Sequence, residues 1–152
     1  VYRIAPSGEV NCVADGLAYP NGLAVSPDQT RIFIAESAAN RLLVYDLQED
    51  GTGANPQVVH QFPDDTVDGL MFDEFGRLWV CRWTHGTVDV LSQDGELLAS
   101  IDAGGSQVTN LCWWRDQLFV TVAERHSIHR FDVGCRAAQQ IPNEVGFRGR
   151  RG

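Results

Sequence analysis

The sequence predicts an all-β chain made of four-stranded antiparallel blades, a partial β-propeller, and three observations carry that prediction. The triplets Ile32-Phe33-Ile34, Leu78-Trp79-Val80 and Leu118-Phe119-Val120 each place a large apolar residue (Tyr45, Leu91, Phe131) twelve positions after their central aromatic. A second apolar run precedes each triplet, at 22–25, 69–72 and 110–113, separated from it by turn-forming residues such as Pro27-Asp28, Glu74-Phe75-Gly76 and Arg115-Asp116. No window of a dozen residues shows a 3.6-residue period, so helix is absent or minor. Units of about 40–47 residues have the size of a propeller blade rather than a solenoid rung.

Taken in order, residues 1–16 form half a blade. Segments 1–5 and 9–13, around Pro6-Ser7-Gly8, match the third strand, turn and fourth strand of the unit. Whole blades follow at 17–62, 63–104 and 105–145, with more polar fourth strands expected at 57–61, 96–101 and 137–141. The segment 146–152, rich in arginine and glycine, reads as a tail. Within a blade the first strand is innermost and the fourth faces solvent. Phe33, Trp79 and Phe119 are therefore expected to pack between blades. About three and a half blades cannot close a ring at ordinary blade geometry. Either matching residues precede this segment, or two copies share open blade edges as a homodimer.

Composition narrows the function classes. The chain has 152 residues and a formal net charge of -8, which disfavours nucleic acid and anionic membrane surfaces as partners. No apolar run approaches the roughly 18 residues of a membrane span. All twelve basic residues are arginine, so Schiff-base chemistry and a phosphate-loop lysine have no candidate. Cys12, Cys81, Cys112 and Cys135 show no Cys-x-x-Cys pairing, and Cys81 and Cys112 fall inside apolar runs. That pattern points to reduced thiols in a cytoplasmic location, not to a cysteine-ligated zinc. Neither Gly-x-Ser-x-Gly nor His-Glu-x-x-His occurs, which removes the support for serine hydrolase and zincin mechanisms.

The candidate site follows from topology. In an up-and-down meander, the entry to the first strand and the loop between second and third strands share a rim. Asn21, Asp68 and Thr109-Asn110 then border the axis, ringed by Glu36-Ser37, by Arg82-Trp83-Thr84-His85 and by Glu124-Arg125-His126. Convergent oxygens of this kind suit calcium or another hard cation. Plain alternatives stand beside that reading. Asn-Gly and Asp-Gly form ordinary turns. Glu36 can pair with Arg41 across its hairpin, His60 falls on an outer strand, and His126 and His129 can be hairpin packing. His85, beside Trp83 on the rim, is open to ligand contact.

The runs Pro-Asn-Gly-Leu-Ala-Val-Ser-Pro-Asp (20–28), Asp-Gly-Leu-Met-Phe-Asp-Glu-Phe-Gly-Arg-Leu-Trp-Val (68–80) and Val-Thr-Asn-Leu (108–111) resemble the gluconolactonase/regucalcin family, also called senescence marker protein-like. The resemblance covers nearly the whole chain and corresponds to the family's C-terminal half. It implies a six-bladed ring with a divalent metal in its channel, calcium foremost with Zn2+, Mn2+ and Mg2+ as alternatives. It also implies hydrolysis of a sugar lactone. By the same resemblance Asn21 and Asp68 match two metal ligands, and Asp68 matches the general base. Arg82, Trp83, His85 and Asn110 would meet the substrate. The family's remaining glutamate ligand has no counterpart in these residues. Two other classes therefore remain: a non-catalytic half-propeller that binds metal or dimerises, and an NHL-like interaction module, since Ile-Ala-Glu-Ser-Ala-Ala-Asn-Arg (34–41) is shared with that group.

Overall fold

The computed structural model describes residues 1–64 and 66–139. Among them are thirteen strands and two three-residue 3₁₀ turns, so the all-β expectation holds. Strands β1 (Tyr2–Ile4) and β2 (Val10–Cys12) form a hairpin. A first four-stranded sheet follows, built from β3 (Pro20–Val25), β4 (Arg31–Glu36), β5 (Arg41–Leu47) and β6 (Gly53–Gln61). A second contains β7 (Val67–Phe72), β8 (Leu78–Arg82), β9 (Thr87–Leu91) and β10 (Leu97–Asp102). The third holds β11 (Val108–Trp114), β12 (Gln117–Val122) and β13 (Ser127–Asp132). In every sheet, strands consecutive in sequence are antiparallel neighbours.

Local chemistry closes the first hairpin of each full sheet. At the β3–β4 turn the Ser26 hydroxyl donates to Asp28 at 2.5 Å and accepts from the Arg31 amide at 3.0 Å. At the β7–β8 turn the fully buried Asp73 carboxylate takes the Phe75 and Arg77 amides at 3.0 and 2.9 Å. It also accepts from Arg77 Nε at 2.6 Å and from the Trp79 indole at 2.9 Å. A buried carboxylate persists because each lone pair finds a donor.

The innermost strands β3, β7 and β11 pack side by side, and glycine permits their approach. A Cβ on Gly22 would lie 2.2 Å from the Asp68 carbonyl oxygen, and one on Gly69 would lie 2.5 Å from Asn110 Oδ1. Between the first two sheets sits a core containing Phe33, Leu42, Phe72 and Leu78, with Phe33 edge-on to Phe72 at 5.2 Å. Between the second and third, Trp79 meets Trp113 edge-on at 5.2 Å, beside Cys81, Val88 and Leu118. Truncating such a buried aromatic to alanine costs about 3–5 kcal/mol. The β1–β2 hairpin contributes Val13 to a smaller third core with Ile34 and Tyr45.

Two expectations are corrected. Phe119 is half-buried, because it shares with Cys112 and Arg130 a face of the third sheet that no described element covers. The strand expected at 137–141 does not line the outer edge of β13 as far as residue 139. Instead Ala137 bridges Asp73, the Ala138 amide donates to Phe72 O at 3.0 Å, and the Glu74 amide donates to Arg136 O at 2.9 Å. The cause lies just upstream, where Gly134 adopts a left-handed φ of 66° and Cys135 is buried in the second core. This turns the chain under the sheets. Residues 140–145 of the third blade and the 146–152 tail lie outside the described residues.

Candidate metal and substrate site

Each inner strand breaks register at the same point. Pairing jumps from Pro20↔Glu36 to Leu23↔Ile34, from Val67↔Arg82 to Leu70↔Val80, and from Val108↔Val122 to Asn110↔Thr121. A bulge places extra residues on one strand opposite its partner and re-aims their side chains. Asn21, Asp68 and Thr109 occupy equivalent places in these three bulges.

Two of the three are brought together. The Asn21 amide lies beside the Asp68 carboxylate across the close β3–β7 joint and acts to lower its pKa. Burial pushes the Asp68 carboxyl above the usual carboxylate range, and the neighbouring Asn21 amide only partly opposes it. Behind it the fully buried Cys81 thiol is pushed up by its own burial and then by the Asp68 charge. Thr109 turns to its own blade, its hydroxyl 2.5 Å from that of Thr121. Asn110 stands where the other blades have glycine. It is exposed, its Oδ1 accepting the Leu111 amide at 2.9 Å beside Gly69.

The β8–β9 turn lies on the same rim, as Val67 pairing with Arg82 requires. His85 is exposed there and Trp83 half-buried. The Trp83 backbone ties the rim together, its amide donating to Thr66 O at 2.9 Å and its carbonyl accepting the Gln107 amide at 2.6 Å. Arg82 does not face the opening. Its guanidinium is drawn into the blade, 2.6 Å from Asp89 Oδ2 and stacked 4.3 Å over the Phe62 ring. Asp89 completes its shell with the Thr87 and Ser100 hydroxyls at 3.1 and 2.5 Å.

The first blade repeats this theme with polarity reversed. Glu36, at the position of Arg82, is 2% exposed, pairs with Arg41 and accepts the Ala18 amide at 2.6 Å. The expected Glu36–Arg41 pair is therefore structural. His60 Nδ1 donates to Gly95 O at 2.8 Å and its ring packs on Phe62, while His129 Nδ1 donates to Ala103 O at 2.7 Å. Both histidines link neighbouring blades. His126 ends a 3₁₀ turn in the left-handed region, with φ 50°.

The Asn21 amide oxygen and the Asp68 carboxylate fit a hard cation in donor type and in their placement side by side on adjacent strands. They fit it as two donors of a larger set. Among the described residues no cluster of three or more His, Cys, Asp or Glu side chains is positioned to hold a metal.

Comparison with known proteins gives this arrangement its context. The family model for the SMP-30/gluconolactonase/LRE-like region matches residues 1–124, and the chain belongs to that family. The gluconolactonase of Zymomonas mobilis is 27% identical over 141 residues, 86% of this chain and 39% of that enzyme. Regucalcin from Agrobacterium tumefaciens, described as a calcium-binding protein, superposes with a TM-score of 0.77 at 24% identity over 92% of this chain and 53% of its own, which shows the fold. A gluconolactonase from Xanthomonas campestris gives 0.70 at 29% identity over 80% of this chain and 40% of its own. The chain thus spans about two fifths of the curated relative it matches, and its sheets correspond to about half of a six-bladed propeller.

Proposed function

We propose that this member of the SMP-30/gluconolactonase family contributes half of the centre of a calcium-dependent sugar-lactone hydrolase. The observation that carries the proposal is the placement of Asn21 and Asp68 at matching bulges of adjacent, packed inner strands. When bound by Asn21 and Asp68, the cation supplies Lewis acidity toward the lactone carbonyl. Asp68 takes the proton of the attacking water. Asn21 holds the carboxylate in place, and Trp83, His85 and Asn110 offer surface to the sugar hydroxyls on the same rim. Arg82, expected among them, acts instead as the buried partner of Asp89. The free thiols of Cys12, Cys81, Cys112 and Cys135 accord with a cytoplasmic location, which is part of the same proposal.

The test pairs activity with binding. Calcium at a hundredfold excess over its Kd should raise stability by about 2.7 kcal/mol, read from the thermal midpoint. In a complete ring, Asp68→Ala should remove that rise and abolish lactone opening, followed by acid release, while circular dichroism stays unchanged. Undiminished turnover in Asp68→Ala would sink the assignment.

A second reading, a self-associating half-propeller, is favoured by the apolar end faces. Tyr2, Ile4 and Val10 are 71, 73 and 60% exposed at one end, and Trp114 and Ile128 are 57 and 68% exposed at the other. Exposed β faces and edges of this kind invite pairing. Sedimentation should show concentration-dependent dimers; a monomer at every concentration would contradict it.

A further inference from the structure

The repeat isolates one residue whose chemistry departs from its equivalents. Ser37, Trp83 and Ala123 occupy the same place after the second strand of their blades. Their amides donate identically to the residue entering each first strand: Ser37 to Tyr19 O at 3.0 Å, Trp83 to Thr66 O at 2.9 Å, and Ala123 to Gln107 O at 2.9 Å. Only Ser37 adds a hydroxyl. That hydroxyl leaves its own blade and donates to Val67 O at 2.5 Å, with Ser37 itself 3% exposed and Val67 fully buried.

The carbonyl of Val67 and the amide of Asp68 are one rigid peptide plane. This plane is the last regular unit before the bulge, since Val67 still pairs with Arg82 and the next pair is Leu70↔Val80. Inside a bulge the ladder no longer dictates orientation, so an outside bond to the preceding plane has unusual leverage. Ser37 is itself immobilised. Its neighbour Glu36 is buried, ion-paired to Arg41 and bonded to the Ala18 amide at 2.6 Å. From the other side Gly22 of β3 closes on the Asp68 carbonyl. The first blade thus grips Asp68 before and after its α-carbon.

We propose that Ser37 is a positioning residue: its hydroxyl sets the Val67–Asp68 peptide so that the Asp68 carboxylate meets Asn21 from the neighbouring blade. This rests on the proposed role of the Asn21–Asp68 pair as cation ligands. Such geometric tolerance is tight, since ligand sets lose affinity when the supporting bonds around them are removed, typically 10–100-fold.

The experiment titrates calcium alone into the chain by calorimetry, comparing wild type, Ser37→Ala, Ser37→Thr, Asp68→Ala and Val120→Ala. The last is a buried core truncation in the third sheet, chosen as a stability control. Ser37→Ala is expected to weaken calcium binding about tenfold, Ser37→Thr to stay near wild type because it keeps the hydroxyl, and Val120→Ala to lower the melting midpoint without weakening binding. Deuterium uptake at Asp68 and Gly69 in calcium-free protein should rise in Ser37→Ala alone. Unchanged affinity and uptake in Ser37→Ala, with binding lost in Asp68→Ala, would overturn the role of Ser37 and leave the site standing. Binding retained in Asp68→Ala would instead overturn the ligand assignment beneath it.

Discussion

Replacing Gly22 with alanine tests the joint on which the site depends. The added methyl would stand 2.2 Å from the Asp68 carbonyl oxygen, 2.9 Å from Gly69 Cα and 3.0 Å from the Leu70 amide nitrogen. All three are main-chain atoms, so no side chain can swing aside. Reaching ordinary van der Waals separation requires β3 and β7 to part by roughly 1 Å or more at this point. Overpacking of this kind costs about 1–3 kcal/mol, and a backbone obstacle favours the upper end. At about 2–4 °C per kcal/mol for a chain of this size, the melting midpoint should fall by roughly 6–12 °C. Parting the strands also separates Asn21 from Asp68, so calcium protection should shrink with it. Gly8→Ala is the matched control, because Gly8 also loses a glycine, at φ 88°, with nothing within 4 Å of the new methyl. Its cost is confined to backbone strain of about 1–2 kcal/mol. Urea unfolding compares the two. A Gly22→Ala protein as stable as Gly8→Ala, with full calcium protection, would refute the close-packed axis.

Two further outcomes follow from buried charge. Arg82→Met should cost about 3–5 kcal/mol in urea unfolding, because it strands the Asp89 carboxylate in the second blade. A substrate-contacting arginine would raise KM at unchanged stability, and that result would restore the role the sequence implies for it. Burial raises the Glu36 carboxyl, but the hydrogen bond from Arg41, the Ala18 amide and the Arg41 charge together outweigh it and hold it below its ordinary value. Its folded pKa lies below its unfolded one, so the stabilisation is present above about pH 4.3 and is lost as pH falls through the folded value. Glu36→Gln should flatten the acid limb of melting midpoint against pH, and an acid limb as steep as wild type would contradict the pairing.

The fold was legible because propeller strands are short, hairpin-linked and repeated, so a twelve-residue spacing counted three times carries register as well as strand identity. It failed where the repeat ends. Among the described residues nothing covers Phe119 on the third sheet, and Gly134 with Cys135 redirects the chain before the expected strand. A glycine followed by a buried cysteine is a weak signal in sequence, because the same pair opens many ordinary turns.

At the site, legibility depended on which atoms the backbone commands. Asn21 and Asp68 sit on strand entries whose bulges recur, so periodicity located them. Arg82 is fixed by a side chain seven residues further on, a spacing the repeat does not carry: its destination, Asp89, is visible only as a charge inside the apolar run Thr87–Leu91. A buried acid in such a strand demands a cation, and the guanidinium across the hairpin is the nearest one. The same test applied to the first blade pairs Glu36 with Arg41. Charges at this repeat position therefore serve the blade before they serve a ligand. What sets the proposed ligand pair apart is that, among the described residues, no cation pairs with Asp68: burial raises its carboxyl, and the neighbouring neutral Asn21 amide only partly opposes that. A half-buried carboxylate left in that condition beside an amide oxygen is the electrostatic state that a divalent cation relieves.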